Sequence, residues 1–328
     1  MPDCSQELVT VVIPLYNKRS TVERAVRSVL QQTHTALELW IVDDGSTDAS
    51  IEAIQHLQDP RIRLLSTENR GPGAARNAGW REGHGRIVAF LDADDFWQDD
   101  FLEWAVERLT IDQALAACTA GYRETSASGT SIPGAAYWAP LGLRAGKFRA
   151  DHATDPAQLL ATLTYMFPVT TVVRRSVLEA FGGFFDLYRC TYGEDSFLWL
   201  QVLLNYPVLI DYTPRVTVDR TSSSLSTPQT LATRSIEPLL THAAVVRDAC
   251  PAALSGLLAE LLARKAYKRA CTLAAVGRWQ DGKVLRAQFR MPGAWRRPYG
   301  LASKVLVNPA GAALARAALQ VLRRIRSN

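Results

Sequence analysis

Short apolar runs at 8–13, 37–42, 62–65 and 86–91 alternate with segments of helical character, and loops of a few residues separate them. This rhythm constrains the fold more than any other feature of the chain. Leu8-Val9-Thr10-Val11-Val12-Ile13 is β-branched and almost wholly apolar, as a strand buried on both faces must be, and Pro14 is expected to end it. Ser20-Thr21-Val22-Glu23 has the form of a capping box and predicts a helix to about Gln31, with Val22, Val26, Val29 and Leu30 on one face. Further helices are expected near Asp48–Leu57 and from about Gly73. Repeated βαβα units with short loops predict an α/β fold with a doubly wound, mostly parallel central sheet flanked by helices.

Beyond residue 120 the signal weakens. Residues 121–160 are rich in Ser, Gly, Ala and Pro and read as a loop-bearing insertion. Thr170–Val173 reads as a strand, Arg174–Phe181 as a short helix closed by Gly182-Gly183, and Glu194–Leu204 as a helix. Val208–Tyr212 and Val216–Val218 read as two strands. After Thr221–Thr230 the pattern becomes helical and basic. Charge marks the same change: residues 1–228 hold 20 Lys+Arg against 28 Asp+Glu, whereas 229–328 hold 17 against 4. The predicted division is therefore 1–228, in halves 1–115 and 116–228, followed by a helical basic C-terminal region at 229–328.

Five scattered cysteines without a CxxC pair argue against a disulfide framework or a structural zinc site. No apolar run is long enough to span a bilayer, and the expected location is cytoplasmic. From Arg290 to Arg326 there are eight basic residues and no acid. Leu314, Ala318, Val321, Leu322 and Ile325 recur at helical spacing, with Arg316, Arg323 and Arg326 turned away. Such a helix suits the cytoplasmic face of an anionic membrane as a peripheral anchor; packing on the rest of the chain is the alternative. Nucleic acid is not an expected partner, because no recognition motif accompanies the charge.

Polar clusters follow the strands, where open α/β sheets bind their ligands. Phe90-Leu91-Asp92-Ala93-Asp94-Asp95 delivers three carboxylates within four positions, which suits a hard divalent ion or, equally, the cap of a following helix. Asp43-Asp44-Gly45-Ser46 places acids where a ribose hydroxyl or base N–H is met, or where an Asx turn forms. Asn69 to Gly79 is a glycine-containing loop opening a helix, with Arg70 and Arg76 suited to phosphate. It is neither a G-x-G-x-x-G fingerprint nor a P-loop. Glu194 and Asp195 open an apolar helix, either as caps or as a general base in an apolar setting.

In this order and spacing the motifs resemble those of the family 2 glycosyltransferases. The matching residues are Val11 through Asn17, Ser28 through Thr33, Ile41 through Asp48, Gly71 through Gly79, Phe90 through Asp95, and Gly193-Glu194-Asp195 with Leu198-Trp199-Leu200. The resemblance covers about residues 8–220 and implies a GT-A fold and inverting transfer from a nucleoside-diphosphate sugar, UDP-sugars foremost. The acceptor hydroxyl is expected on a glycan or lipid-linked glycan in cell-surface polysaccharide synthesis. The donor nucleotide would meet Pro14, Tyr16, Asn17, Asp43, Asp44, Arg70, Gly73, Arg76, Asp92 and Ala93. Asp92 and Asp94 would hold Mn²⁺ or Mg²⁺. Asp195 would be the catalytic base, and Glu194 would position the acceptor. Gly277-Arg278-Trp279 lacks the Gln of the processive members' Gln-x-x-Arg-Trp motif, which implies single additions. Two rivals, a phosphohydrolase with Asp92 as nucleophile and a non-catalytic nucleotide-sugar binder, lack their own sequence signatures.

Overall fold

The computed structural model describes residues 6–221, 236–293, 297 and 299–315. The chain forms two compact units, one of residues 1–151 and 157–226, the other of 152–156 and 227–328.

The first unit is built on one ten-stranded sheet in the order β3-β2-β1-β4-β9-β6-β10-β5, with β7 beside β6 and β8 beside β10. Strand β1 (Val9–Leu15) lies parallel to both β2 (Leu37–Asp43) and β4 (Ile87–Phe90), and β3 (Ile62–Ser66) lies parallel to β2. Strand β5 (Phe96–Trp97) is an antiparallel edge of β10 (Val208–Asp219), itself parallel to β6 (Ala117–Ser126). The short strands β7 (Gly129–Ser131) and β8 (Gly146–Phe148) are antiparallel additions, and β9 (Thr171–Arg174) runs antiparallel between β4 and β6. Helices α1 (Val22–Leu30), α2 (Pro72–Glu82), α3 (Phe101–Ile111), α4 (Ala135–Trp138), α5 (Pro156–Tyr165), α6 (Arg175–Phe181) and α7 (Glu194–Asn205) accompany the strands. Val9, Val11, Val12 and Ile13 are wholly buried, as expected of a central strand covered on both faces.

Gly79 shows why α2 lies so close to this sheet. A Cβ at that position would stand 2.4 Å from Val12 Cγ1 and 3.0 Å from Val42 Cγ2, so β1 and β2 both press against the glycine. Gly79→Ala is expected to destabilise the fold by about 1–3 kcal/mol through overpacking, despite alanine's better helix propensity. The midpoint shift in urea unfolding measures it.

Several expectations are corrected. Strand β1 does not stop at Pro14 but runs to Leu15, pairing Pro14 with Val42. By then β4 has left it, since their last paired residues are Val12 and Phe90, so the missing proline N–H has no ladder partner to lose. The expected helix at 48–57 is only a 3₁₀ turn, Glu52–Ile54. Asp48 accepts hydrogen bonds from Ser50, and Ser50 Oγ accepts the Lys18 N–H at 2.8 Å; such local side-chain bonds compete with helix formation. The Ser20–Glu23 capping box does not form: the N-cap is Thr21, whose side chain makes no cap bond, and Glu23 pairs instead with Arg27 and His56.

Residues 121–160 are not mainly loop. Strand β6 continues through Gly121, where a Cβ would meet the Tyr212 carbonyl oxygen at 2.2 Å. Position 121 must be a glycine because β10 passes that close. The two strands expected at 208–218 are one, β10, whose register with β6 shifts around Pro214.

In the second unit, described by itself, helix Ser255–Ala275 buries Leu258, Leu261, Leu262, Ala266, Tyr267 and Ala270. The Tyr267 hydroxyl donates to the Phe289 carbonyl and accepts the Met291 N–H. Lys265 pairs with Glu237 at 2.9 Å, and Arg264 and Arg297 share Glu260. In the short helix Gly300–Leu306, Leu301 and Val305 are exposed. Of the expected amphipathic tail, Leu314 is described and exposed, while residues 316–326 lie outside the described residues. Among the described residues no helix is long and apolar enough to cross a membrane.

Candidate active site

The carboxyl ends of β1, β2 and β4 carry the predicted polar residues, and the loops there are tied to one another. Asn17 takes a left-handed backbone, φ 53°, which asparagine tolerates better than most residues. Its Oδ1 accepts the Thr47 N–H at 2.7 Å, and its own N–H donates to Ser46 Oγ at 3.1 Å, joining the loop after β1 to the loop after β2. Asp43 Oδ1 accepts the Ser46 N–H.

Asp44 is only 2% exposed. Its two oxygens accept the Arg70 and Gly71 N–H groups, each at 2.8 Å, so it anchors the loop that opens α2. Burial raises its pKa, and those two backbone bonds oppose the rise. Tyr16 is 47% exposed at the end of β1, and the Arg70 side chain is exposed as well. Pro14 is half-buried within the strand.

Gly73 does not leave room for a ligand. A Cβ there would stand 2.4 Å from the Phe185 carbonyl oxygen and 3.2 Å from Glu194 Cγ, so its smallness admits the chain before α7. Gly71, at φ 92°, similarly faces the Cys190 carbonyl.

Arg76 is buried on α2, 4% exposed, and does not face the solvent as a phosphate-binding arginine would. One guanidinium nitrogen donates to Asp92 Oδ1 at 2.7 Å and the other to Glu194 Oε1 at 3.0 Å. The cation also lies 5.2 Å from the centre of the Phe184 ring. Its Nε–H is buried with no acceptor. Burial works against the charge of Arg76, but the Asp92 and Glu194 carboxylates outweigh it and raise its pKa. Two motifs about a hundred residues apart thus meet on one cation.

Ala93 is buried and turns the loop so that Asp92 and Asp94 are both half-buried. Asp94 Oδ2 accepts Lys18 Nζ at 2.6 Å. Burial raises the pKa of Asp94, and the charge of Asp92 adds to the rise. Asp95 is buried and accepts the Asp219 N–H at 2.8 Å, fastening the acidic loop to the end of β10; burial and its two acidic neighbours push its pKa well up. Neither Asp94 nor Asp95 caps α3, which starts only at Phe101, after β5.

The donor set suits a hard divalent ion. Arg76 and Lys18 engage Asp92 Oδ1 and Asp94 Oδ2, which leaves Asp92 Oδ2 and Asp94 Oδ1 outside both ion pairs. Among the described residues no three His, Cys, Asp or Glu side chains gather into a protein-only cage. Mg²⁺ does not need one, since one or two carboxylates, water and phosphate oxygens complete its shell.

Glu194 and Asp195 open α7 behind Gly193, which holds φ 79°. Burial raises the pKa of Glu194 first and the Asp195 charge raises it further, against the pull of Arg76. Asp195 is half-buried, and its Oδ1 accepts the Ser196 N–H at 2.6 Å. Its pKa is raised mainly by burial, with the Ser196 bond and Arg76 opposing. It is a poised carboxylate at the edge of an apolar helix.

The sequence profile described as Glycosyl transferase family 2 matches residues 10–182, just over half of the chain. The chain belongs to glycosyl transferase family 2. Among similar family proteins, the succinoglycan biosynthesis protein ExoO of Rhizobium meliloti (strain 1021) is 44% identical over 101 residues, 30% of this chain and 29% of that protein. The putative teichuronic acid biosynthesis glycosyltransferase TuaG of Bacillus subtilis (strain 168) is 40% identical over 128 residues, 38% of this chain and 50% of that one. The matched region spans half or less of these curated relatives. S. aureus TarS 1-349, solved in complex with UDP, superposes with a TM-score of 0.63 at 13% identity, covering 95% of this chain and 91% of that one. The mannosyltransferase PcManGT from Pyrobaculum calidifontis, in complex with GDP-Man and Mn²⁺, gives 0.57 at 22% identity, covering 93% and 86%. These likenesses establish the GT-A glycosyltransferase fold.

Sequence reasoning passed over Lys18, Arg24, Asn77 and Asp219. Arg24 donates to the Asp94 carbonyl at 2.7 Å and to Asp219 Oδ2 at 2.8 Å. Asn77 is buried, donates to the Phe184 carbonyl and accepts the Phe184 N–H, securing the segment before α7. Lys18 directly follows the predicted Tyr16-Asn17 pair, and Asn77 lies beside Arg76 within the Asn69–Gly79 motif, which were the available signals; Arg24 and Asp219 gave none.

Proposed function

We propose that this family 2 glycosyltransferase moves a sugar, with inversion, from a nucleoside-diphosphate sugar to an acceptor hydroxyl. The observation carrying this reading is the Arg76 bridge, with Asp92 at 2.7 Å on one side and Glu194, beside Asp195, at 3.0 Å on the other. An acid loop suited to a metal–diphosphate and Glu194, the neighbour of the carboxylate suited to a general base, stand on one guanidinium.

In this mechanism Asp195 takes the proton of the acceptor hydroxyl as its oxygen attacks the anomeric carbon opposite the diphosphate. A single displacement needs no enzyme nucleophile. Glu194, held by Arg76, positions the acceptor side of the site. Asp92 and Asp94 would hold Mn²⁺ or Mg²⁺, which would supply positive charge to offset the negative charge growing on the leaving diphosphate. Tyr16, Asn17 and Pro14 wall the nucleotide pocket, Asp43, Ala93 and Arg70 line it, and Asp44 shapes the loop that carries Arg70.

A UDP-sugar is the favoured donor; TarS has been solved with UDP-GlcNAc and PcManGT with GDP-Man, so the base is the discriminating unknown. The succinoglycan and teichuronic acid relatives support a cell-surface glycan or lipid-linked glycan as acceptor. The basic C-terminal region, with exposed Leu301 and Val305 beside Lys304, supports peripheral attachment to the cytoplasmic face of an anionic membrane.

The test is release of nucleoside diphosphate from a panel of nucleotide sugars with Mn²⁺, comparing wild type with Asp94→Ala. One donor is expected to release its nucleoside diphosphate in a metal-dependent manner that the variant loses. Release of inorganic phosphate instead would favour Asp92 as a phosphoryl nucleophile, and donor binding without turnover under any acceptor would favour a binder.

A further inference from the structure

The segment from Ile132 to Leu143 holds no charged side chain and no Ser, Thr, Asn or Gln. It folds as α4 followed at once by a 3₁₀ turn, Ala139–Leu141. Two side chains pin it to the first unit. Trp138 is buried with its ring 5.2 Å from that of Tyr165, and Leu143 is buried while its carbonyl accepts the Tyr212 hydroxyl at 2.9 Å. Around these anchors Ile132, Tyr137 and Leu141 are 52%, 60% and 48% exposed, and the alanines of the turn are exposed with them. The segment is thus fixed with its apolar side chains in water, and a contiguous exposed apolar surface marks contact with something other than water.

Charge indicates what covers it. Residues 125–150 hold three basic residues, Arg144, Lys147 and Arg149, and no acid, although residues 1–228 as a whole hold 28 acids against 20 basic residues. All three are exposed. Lys147 pairs with Asp112 at 2.6 Å, so the attraction rests on Arg144 and Arg149. Two copies of the chain meeting through the same patch would bring these arginines together. An anionic bilayer matches both features at once: its headgroups meet the arginines, and its acyl boundary takes Ile132, Tyr137 and Leu141, tyrosine being suited to that interface.

We propose that the segment from Ile132 to Arg149 is a membrane-contact surface of the catalytic unit itself, separate in sequence from the basic C-terminal region. It seats the half of the unit that carries Asp195 on an anionic bilayer. Its role rests on the reading of a lipid-linked acceptor, because a hydroxyl held near a bilayer is met most often by an enzyme held there too. The contact itself needs no catalysis and is measured without it.

The experiment is flotation of the full chain with vesicles of phosphatidylglycerol and phosphatidylcholine in equal parts, with pure phosphatidylcholine vesicles as the uncharged comparison. Three double variants are compared with wild type: Ile132→Ser with Leu141→Ser, Arg144→Gln with Arg149→Gln, and Leu301→Ser with Val305→Ser in the C-terminal region. Ile132→Ser with Leu141→Ser is expected to weaken partition onto the anionic vesicles about tenfold, since two apolar side chains no longer enter the acyl boundary. Arg144→Gln with Arg149→Gln should weaken it severalfold and flatten its dependence on salt. Unchanged flotation after Ile132→Ser with Leu141→Ser would refute this surface; loss in the Leu301→Ser, Val305→Ser variant would then assign attachment to the C-terminal region alone. Wild type that floats with neither vesicle would refute the surface and peripheral attachment together, while donor-dependent release of nucleoside diphosphate without lipid judges the transferase reading apart from both. If Ile132→Ser with Leu141→Ser instead abolishes a dimer seen by sedimentation and leaves flotation unchanged, the patch is a contact between copies and its membrane role falls. Circular dichroism and melting curves that match wild type guard against a folding artefact.

Discussion

Asp195→Asn is expected to lower kcat by about 10²–10⁴-fold, the usual contribution of a positioned general base, with nucleotide affinity unchanged. Asparagine keeps the shape and can still accept the Ser196 N–H that Asp195 Oδ1 receives at 2.6 Å. What it loses is the capacity to take a proton. The wild-type pH profile adds a second signature. Burial raises the pKa of Asp195, so the base is protonated, and inactive, up to a higher pH than an ordinary aspartate near 3.9. Activity must therefore rise with pH along an acid limb shifted upward from the ordinary aspartate value. Glu194 is also shifted upward and interacts with Asp195, so the limb reports the pair rather than either group alone. Single-turnover rates from pH 4 to 9, with the donor at saturation, check both claims. A variant that transfers at the wild-type rate, or a limb near pH 4, would remove Asp195 from the role of base.

The parts of this architecture written in local pattern were legible in the sequence. The central strands β1, β2 and β4 announce themselves through runs such as Val9–Ile13, because a strand covered on both faces has no room for polar residues. The acids after those strands were legible for the same reason: an Asp ending an apolar run must face the sheet edge. Legibility failed where a residue's job depends on a distant neighbour. Gly121 reads as loop because nothing near it in sequence shows that Tyr212 passes within a few ångström. Gly73 reads as space for a ligand, yet the space is filled by Phe185 and Glu194. Arg76 reads as a phosphate contact, since its two partners lie 16 and 118 residues away. In each case the residue type was noticed and the partner was invisible.

Arg76→Met carries the largest expected stability effect. Methionine fills much of the arginine's volume and can still pack against Phe184, so the change removes chiefly the charge and its hydrogen bonds. Glu194 is buried, and Asp92 is half-buried beside Asp94 and Asp95, so both acids would be left without their shared cation. Breaking a buried ion pair by deleting one partner costs about 3–5 kcal/mol, because the remaining charge keeps its desolvation penalty and loses its compensation. Chemical unfolding of the variant should show a loss of that size. The orphaned Nε–H disappears with the guanidinium and offsets only part of it. A companion change separates charge from shape. Glu194→Gln in the Arg76→Met background removes one stranded charge and is expected to recover part of the lost stability, although by itself it would damage the pair with Arg76. The double-mutant cycle should therefore be strongly non-additive, as it is for residues sharing one ion-pair network. Lowering the pH gives the same result by another route. Without Arg76, protonating Glu194 relieves the stranded charge, so the destabilisation should shrink as pH falls through the pKa of Glu194, which the loss of Arg76 raises further. A cycle that is additive, with a loss independent of pH, would show that Arg76 acts through packing alone and that the two motifs are not coupled by its charge.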